Sequence, residues 1–274
     1  MAATPRSAQS AGAATPAQNA PAELQLQMRG IVIENVTKSY LDARNITVQA
    51  LSTIDLEIAS GEFVCLIGKS GCGKTTLLNI IAGFVTPSTG RVLVDGERVT
   101  RPGQGKGMVF QQFALFPWLT AIGNIDFALK QRNLDKATRQ TLAAELIGLI
   151  GLKGFEEKYP YQLSGGMQQR VAIARALAID PKVLLMDEPL GALDELTRDT
   201  LQAEILRIWA AHRKTIVFVT HSVTEAVRLA DRIVVMSAGP GRISQIIPIS
   251  IPRPRLRTNA EVVALEEMVQ AALG

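Results

Sequence analysis

Residues 62–83 read Glu62-Phe63-Val64-Cys65-Leu66-Ile67-Gly68-Lys69-Ser70-Gly71-Cys72-Gly73-Lys74-Thr75-Thr76-Leu77-Leu78-Asn79-Ile80-Ile81-Ala82-Gly83. The apolar run up to Ile67 predicts a strand, and the glycine cluster predicts a turn. Leu77, Leu78, Ile80 and Ile81 then fall on one face of a helix that Gly83 ends. Inside this stretch Gly68 to Thr75 fits the pattern glycine, four residues, Gly-Lys-Ser/Thr, in the strand–turn–helix setting of a phosphate-binding loop. Glycines let backbone N–H groups converge on phosphate oxygens, and a helix start adds roughly half a positive charge. Lys74 adds a full charge, and the Thr75 hydroxyl is a candidate magnesium ligand. Adenine is expected rather than guanine, because the chain carries no Asn-Lys-x-Asp element.

Strand patterns flank the loop at Ile31 to Val36 and Leu51 to Ile58, and Arg91 to Val94 and Met108 to Phe110 read as strands around an Asp95-Gly96 turn. Residues 122–178 change to helical period through Ile125, Ala128 and Leu129, then Leu142, Leu146 and Ile150, then Val171, Ala174 and Leu177. They read as a mostly helical subdomain inserted in an α/β core. Val183 to Met186 is a short unbroken apolar run, the form taken by a strand buried on both faces of a parallel sheet. Ile216 to Val219 and Ile233 to Met236 repeat it, with helical patterns at Leu201 to Trp209 and Glu225 to Leu229. The Ala- and Pro-rich residues 1–28 are expected to be a disordered tail. The core then occupies 29–110 and 179–250, the helical insert about 111–178, and a short tail with a helix 251–274.

Two further segments carry chemistry. Asp187 and Glu188 end the apolar run at Met186, where burial of carboxylates is costly without a cation. Asp187 is the candidate magnesium ligand, and Glu188 the base that orients an attacking water. Neighbouring side chains on an extended strand point to opposite faces, so the chain must turn at Glu188 for both to reach one site. The second segment, Leu163-Ser164-Gly165-Gly166-Met167-Gln168-Gln169-Arg170, opens a helix with a hydroxyl and two glycines, a second anion-binding arrangement.

With the phosphate loop upstream and the acidic pair downstream, Leu163 to Arg170 resembles the signature of the ATP-binding-cassette (ABC) ATPases. The rest of that family's set is present in order. Tyr40 corresponds to the aromatic that stacks on adenine, Gln111 to the glutamine that touches magnesium and senses the γ-phosphate, and His221 to the switch histidine. Gly191-Ala192-Leu193-Asp194 corresponds to the segment ending in Asp194, although Gly191 stands where Ser is more usual. The resemblance implies a P-loop NTPase fold with a parallel-sheet core, an antiparallel β subdomain and the inserted helical subdomain. It also implies that two copies of the chain associate head to tail, each ATP lying between Gly68 to Thr76 of one and Ser164 to Gly166 of the other. Catalytic roles fall to Glu188, His221 and Gln111, nucleotide contacts add Tyr40 and Asp194, and magnesium would be met by Thr75, Gln111 and Asp187.

Partners follow from the same resemblance. The longest apolar run, Leu77 to Val85, is too short to span a bilayer and is broken by Asn79 and Gly83, so separate transmembrane permease subunits are implied, with a periplasmic or lipid-anchored binding protein acting indirectly. The expected place is the cytoplasmic face of the cell membrane. Phe113, Phe116 and Trp118 stand close together in a chain that is only 5% aromatic, and are the candidate permease contact. That stretch, with the short C-terminal tail, resembles importers of the nitrate, sulfonate and taurine class. The alternative is a non-transport ABC ATPase acting on nucleic acid or ribosomes. A net charge of +4, dispersed along the chain, gives no basic patch, and no nucleic acid is expected. Two cysteines support neither a disulfide framework nor a four-ligand zinc site. Cys72 is expected inside the cradle, where alkylation would block nucleotide entry, and Cys65 in the core. Arg253, Arg255 and Arg257 suggest a solvated basic edge near anionic lipid.

Overall fold

A period of two sorts the central strands between two cores. In the structure, a computed structural model describing residues 30–274 apart from Gln104 and Ala192, these are β3 (Phe63–Gly68), β7 (Val183–Asp187), β8 (Thr215–Thr220) and β9 (Arg232–Ser237). Phe63, Cys65, Ile67, Leu184, Met186, Phe218 and Val235 face one core, while the alternate residues Val64, Leu66, Leu185, Val217, Val219 and Val234 face the other. With both faces covered, the strand interiors are left to apolar residues, polar ones falling at the strand ends, and the sequence reads as short apolar runs. β6 (Lys106–Val109) and β10 (Arg242–Pro248) form the edges of a sheet ordered β10-β9-β3-β8-β7-β6, parallel except for β10. The expected tail at 1–28 lies outside the described residues.

A second, antiparallel sheet ordered β2-β1-β4-β5 is built from β1 (Ile31–Leu41), β2 (Thr47–Ile58), β4 (Thr89–Val94) and β5 (Glu97–Arg98). The sequence reading placed the Asp95-Gly96 turn between strands at 91–94 and 108–110, and the structure corrects it. Asp95 at φ 49° and Gly96 at φ 79° close a tight hairpin from β4 to β5, because two successive positive φ values match strand twist in a two-residue loop. Met108 belongs to the other sheet.

Helix α1 (Lys74–Ala82) follows the phosphate-type loop and buries Leu77, Leu78 and Ile81 beneath the sheet. Helices α2 (Ala121–Leu129), α3 (Lys136–Leu149) and α4 (Gly165–Ala178) share a core of Ile125, Leu129, Ile147, Val171 and Ala174. Each is started by a hydroxyl or carboxylate cap, Thr120, Asp135 and Ser164, bonding a backbone N–H of its own first turn. Helices α5 (Glu195–His212), α6 (Val223–Leu229) and α7 (Ala260–Ala272) cover the remaining face of the sheet.

The C-terminal arginines are not a solvated edge. Arg255 is buried, donates to the carbonyls of Ile251, Val227 and Ala230, and is pushed down to about 10 by burial and by the nearby Arg253. Arg253 pairs with Asp231 at 2.7 Å and lies over the Trp209 ring. The end of α6 offers carbonyls with no helical partner, and these guanidinium groups satisfy them. Only Arg257, paired with Glu195, remains exposed. Val262 and Val269 of α7 are fully buried, so this segment belongs to the core.

Candidate functional site

Parallel strands end together, and in an open α/β sheet the crevice outside their carboxyl ends is where a ligand sits. β3, β8, β7 and β6 are consecutive neighbours in the sheet. Gly68, His221, Asp187 with Glu188, and Gln111 therefore follow the ends of adjacent strands, although they are scattered over the sequence.

The loop after β3 is shaped by its glycines. Gly73, the cap of α1, has φ 90°, and a Cβ there would stand 2.4 Å from Leu51. A Cβ at Gly68 would stand 2.4 Å from the Met236 carbonyl. No side chain caps α1, so the first N–H groups of the helix stay available to an anion. Lys74 is buried, and its Nζ donates to the carbonyls of Gly68 at 2.7 Å and Lys69 at 3.2 Å. The ammonium is thereby folded over its own loop, pointing at the volume the glycines enclose.

Ser70, Gly71, Gly73, Lys74, Thr75 and Thr76 line a cavity of about 400 Å³ together with Glu188, His221 and Ala50. The turn required at Glu188 is present: its φ is 42°, a left-handed value, and its N–H donates to the Val219 carbonyl at 3.0 Å. Glu188 Oε2 then lies 3.1 Å from His221 Nδ1. Asp187 stays on the strand and accepts the Thr75 hydroxyl at 3.1 Å. Burial raises the Asp187 carboxyl above its usual range, more than the Thr75 bond lowers it, with Glu188 adding repulsion. A buried carboxylate beside a hydroxyl, with Lys74 as a nearby cation, is a donor set that suits magnesium, which Thr75 and Asp187 would hold.

Not every expected residue joins this cavity. Tyr40 pairs with Val48, two residues along β2 from Ala50, so it stands toward the rim, half exposed beneath Lys38. Gln111 is exposed past the end of β6 and does not line the cavity. The Cys72 reading is corrected: Cys72 is fully buried among Leu66, Leu77 and Val219, so it offers the cradle its backbone and hides its thiol beneath the loop. Cys65 is buried in the core as expected.

Ser164, Gly165, Gly166 and Asp194 assemble elsewhere. A Cβ at Gly165 would meet Phe113 at 3.7 Å and Leu193 at 3.8 Å, and one at Gly166 would meet Thr197. The starts of α4 and α5 are therefore side by side. Both are satisfied internally, with Ser164 accepting from the Met167 N–H and Asp194 from the Thr197 N–H. Phe116 packs on Phe127 at 4.6 Å and Trp118 at 5.5 Å, and Trp118 remains 70% exposed.

Two features were missed. Tyr159 and Tyr161, stacked at 5.9 Å and exposed, form a second aromatic pair in the helical region. Their spacing of two was the available signal. Glu225, buried four residues after His221, was read only as a helix start.

Comparison with known proteins points the same way. Residues 51–191 match the family model described as ABC transporter. The chain is 54% identical over 229 residues to an uncharacterized ABC transporter ATP-binding protein of Methanocaldococcus jannaschii, covering 84% of this chain and 85% of the relative. The aliphatic sulfonates import ATP-binding protein SsuB of Bacillus cereus is 47% identical, covering 84% of this chain and 90% of its own. The taurine import ATP-binding protein TauB of Roseobacter denitrificans is also 47% identical, covering 79% and 81%. A solved dimeric ATP-binding cassette in a post-hydrolysis state, bound to ADP and Pi, superposes with a TM-score of 0.72 at 35% identity, over 80% of this chain and 98% of that one.

Proposed function

From the premise that the chain belongs to the ABC transporter family of ATPases, we propose that it hydrolyses ATP to power a membrane importer of small oxyanions or organosulfur compounds. The observation that carries the reading is the single cavity that joins the phosphate-type loop to Glu188 and His221. The import class rests on relatives named for taurine and aliphatic sulfonate import at 47% identity.

The residues perform distinct tasks. Loop N–H groups from Ser70 to Thr76 and the Lys74 ammonium hold the β- and γ-phosphates, and adenine lies toward Tyr40. Magnesium, when bound at Thr75 and Asp187, neutralises phosphate charge. Glu188 accepts a proton from the attacking water as that water's oxygen bonds to the γ-phosphorus and the bond to the ADP oxygen breaks. His221, hydrogen-bonded to Glu188, fixes the carboxylate and faces the γ-phosphate. Ser164 to Gly166 and Asp194, remote from this cavity in one chain, complete the site of a second copy. Gln111 enters when that copy closes.

No described helix is long and apolar enough to cross a membrane, so permease subunits carry the pathway and the chain sits at their cytoplasmic face. The aromatic segment of Phe113, Phe116 and Trp118, of which Trp118 is exposed and the two phenylalanines half-buried, is the proposed permease contact, and a binding protein delivers the anion from outside. The test is recovery of the tagged chain from its native membrane with an ATPase assay. A co-purified multi-span permease that stimulates hydrolysis, further raised by taurine, a sulfonate or nitrate with the binding protein, supports the reading. Stimulation by DNA or ribosomes instead contradicts it.

A further inference from the structure

His221 is 66% exposed at its side chain, yet its neighbours in sequence are locked in place. Thr220, 2% exposed, donates its hydroxyl to Glu225 Oε2 at 2.5 Å. The same hydroxyl oxygen accepts the Ser222 N–H at 3.0 Å, and Ser222 Oγ accepts the Glu225 N–H at 3.3 Å. The turn that presents His221 is thus closed by Glu225, a carboxylate only 5% exposed.

The other oxygen of Glu225 faces α5. Arg198 Nη2 donates to the Leu193 carbonyl at 2.8 Å, while Arg198 Nε stands 3.6 Å from Glu225 Oε1. That distance is an ion contact longer than a hydrogen bond, and Nε is buried with no hydrogen-bond partner. A buried donor left open is costly, and here the only thing missing is a small approach toward a carboxylate already aimed at it. Burial raises the Glu225 carboxyl, while the Thr220 hydrogen bond and then Arg198 and His221 draw it down and Glu188 pushes it up. A second pair, Arg228 to Asp199 at 2.6 Å, holds α5 and α6 side by side, which leaves the Arg198–Glu225 gap as the adjustable contact.

We propose that Arg198 and Glu225 are positioning residues for hydrolysis, tying the His221 turn to the Leu193–Asp194 segment at the start of α5. Engagement of Asp194 by a second copy of the chain draws α5 inward, closes the Arg198 Nε to Glu225 contact, and steadies His221 against Glu188. The link rests on the assignment of Glu188 and His221 to the hydrolytic site.

The test is a double-mutant cycle in the full chain, following ATP hydrolysis with thermal unfolding in parallel. Glu225→Gln retains a carbonyl oxygen for the Thr220 hydroxyl and replaces the acceptor facing Arg198 Nε with an amide N–H; Arg198→Met removes the cation and its bond to the Leu193 carbonyl. Each lowers kcat roughly tenfold, the scale of coupling through one contact, with KM for ATP unchanged, when assayed well below its own unfolding midpoint. The double variant is no slower than either single one. Additive losses, a KM that moves with kcat, or full activity in Glu225→Gln overturns the link. An unaltered chain that fails to hydrolyse ATP overturns the site assignment and the link together.

Discussion

Two helix starts in this chain meet anions in opposite states. At α1 the cap is Gly73, which offers no side chain, so its first-turn donors face a cavity lined by Lys74, Glu188 and His221. At α4 the cap is Ser164, whose hydroxyl is occupied by its own Met167 N–H, and no acid or base of the site lies beside it. The first region holds the chemistry within one chain. On the proposed reading the second is a half-site, completed only against another copy of the chain. The difference explains why two anion-binding patterns occur in a chain with one acidic pair.

Substitutions in the first region should have the largest effects. Glu188→Gln lowers hydrolysis by about a hundredfold or more while ATP binding persists, measured by phosphate release and by equilibrium binding. Binding lost along with turnover would move Glu188 from base to structural support. Lys74→Ala weakens ATP binding by roughly tenfold to a hundredfold, as removal of a charged hydrogen-bond donor does, measured calorimetrically on the single chain. Ser164→Ala sharpens the contrast: it leaves single-chain ATP affinity unchanged, lowers hydrolysis, and costs about 1 kcal/mol of stability through the lost cap. Weakened single-chain affinity would place Ser164 in the first region.

On stability, Asp187→Asn gives a small effect of opposite sign to Ser164→Ala. A carboxyl raised by burial binds more protons folded than unfolded, so the unliganded protein loses stability as pH rises from the ordinary carboxylate range through the raised value. The Asn variant keeps an acceptor for Thr75 and should be more stable above that window by about 1 kcal/mol, with hydrolysis lost. A denaturation series across pH reads the slope, and an equal slope in both proteins would remove Asp187 as its cause.

What the sequence disclosed follows from how local each feature is. The loop at 68–75 and the turn at Glu188 depend on neighbouring residues, so pattern and strand geometry sufficed. The helical period of 122–178 was likewise local, with Ser164 marking one start, while the caps at Thr120 and Asp135 emerged only from the structure. Long-range pairing was not legible: nothing near Met108 shows that it joins Leu185 and not the Asp95-Gly96 hairpin. Burial of Arg255 was hidden for the same reason, since the carbonyls it satisfies lie 25 and 28 residues away in the chain. Cys72 was misread because a loop that cradles a ligand has an underside, and a small apolar thiol fills it.

The half-site account is tested most directly by sedimentation of Glu188→Gln with and without ATP, alone and combined with Ser164→Ala. Glu188→Gln should sediment as a dimer only when ATP is present, and the added Ser164→Ala should return it toward monomer with nucleotide still bound. A monomer under all conditions, or a dimer indifferent to ATP, would contradict a site shared between two chains.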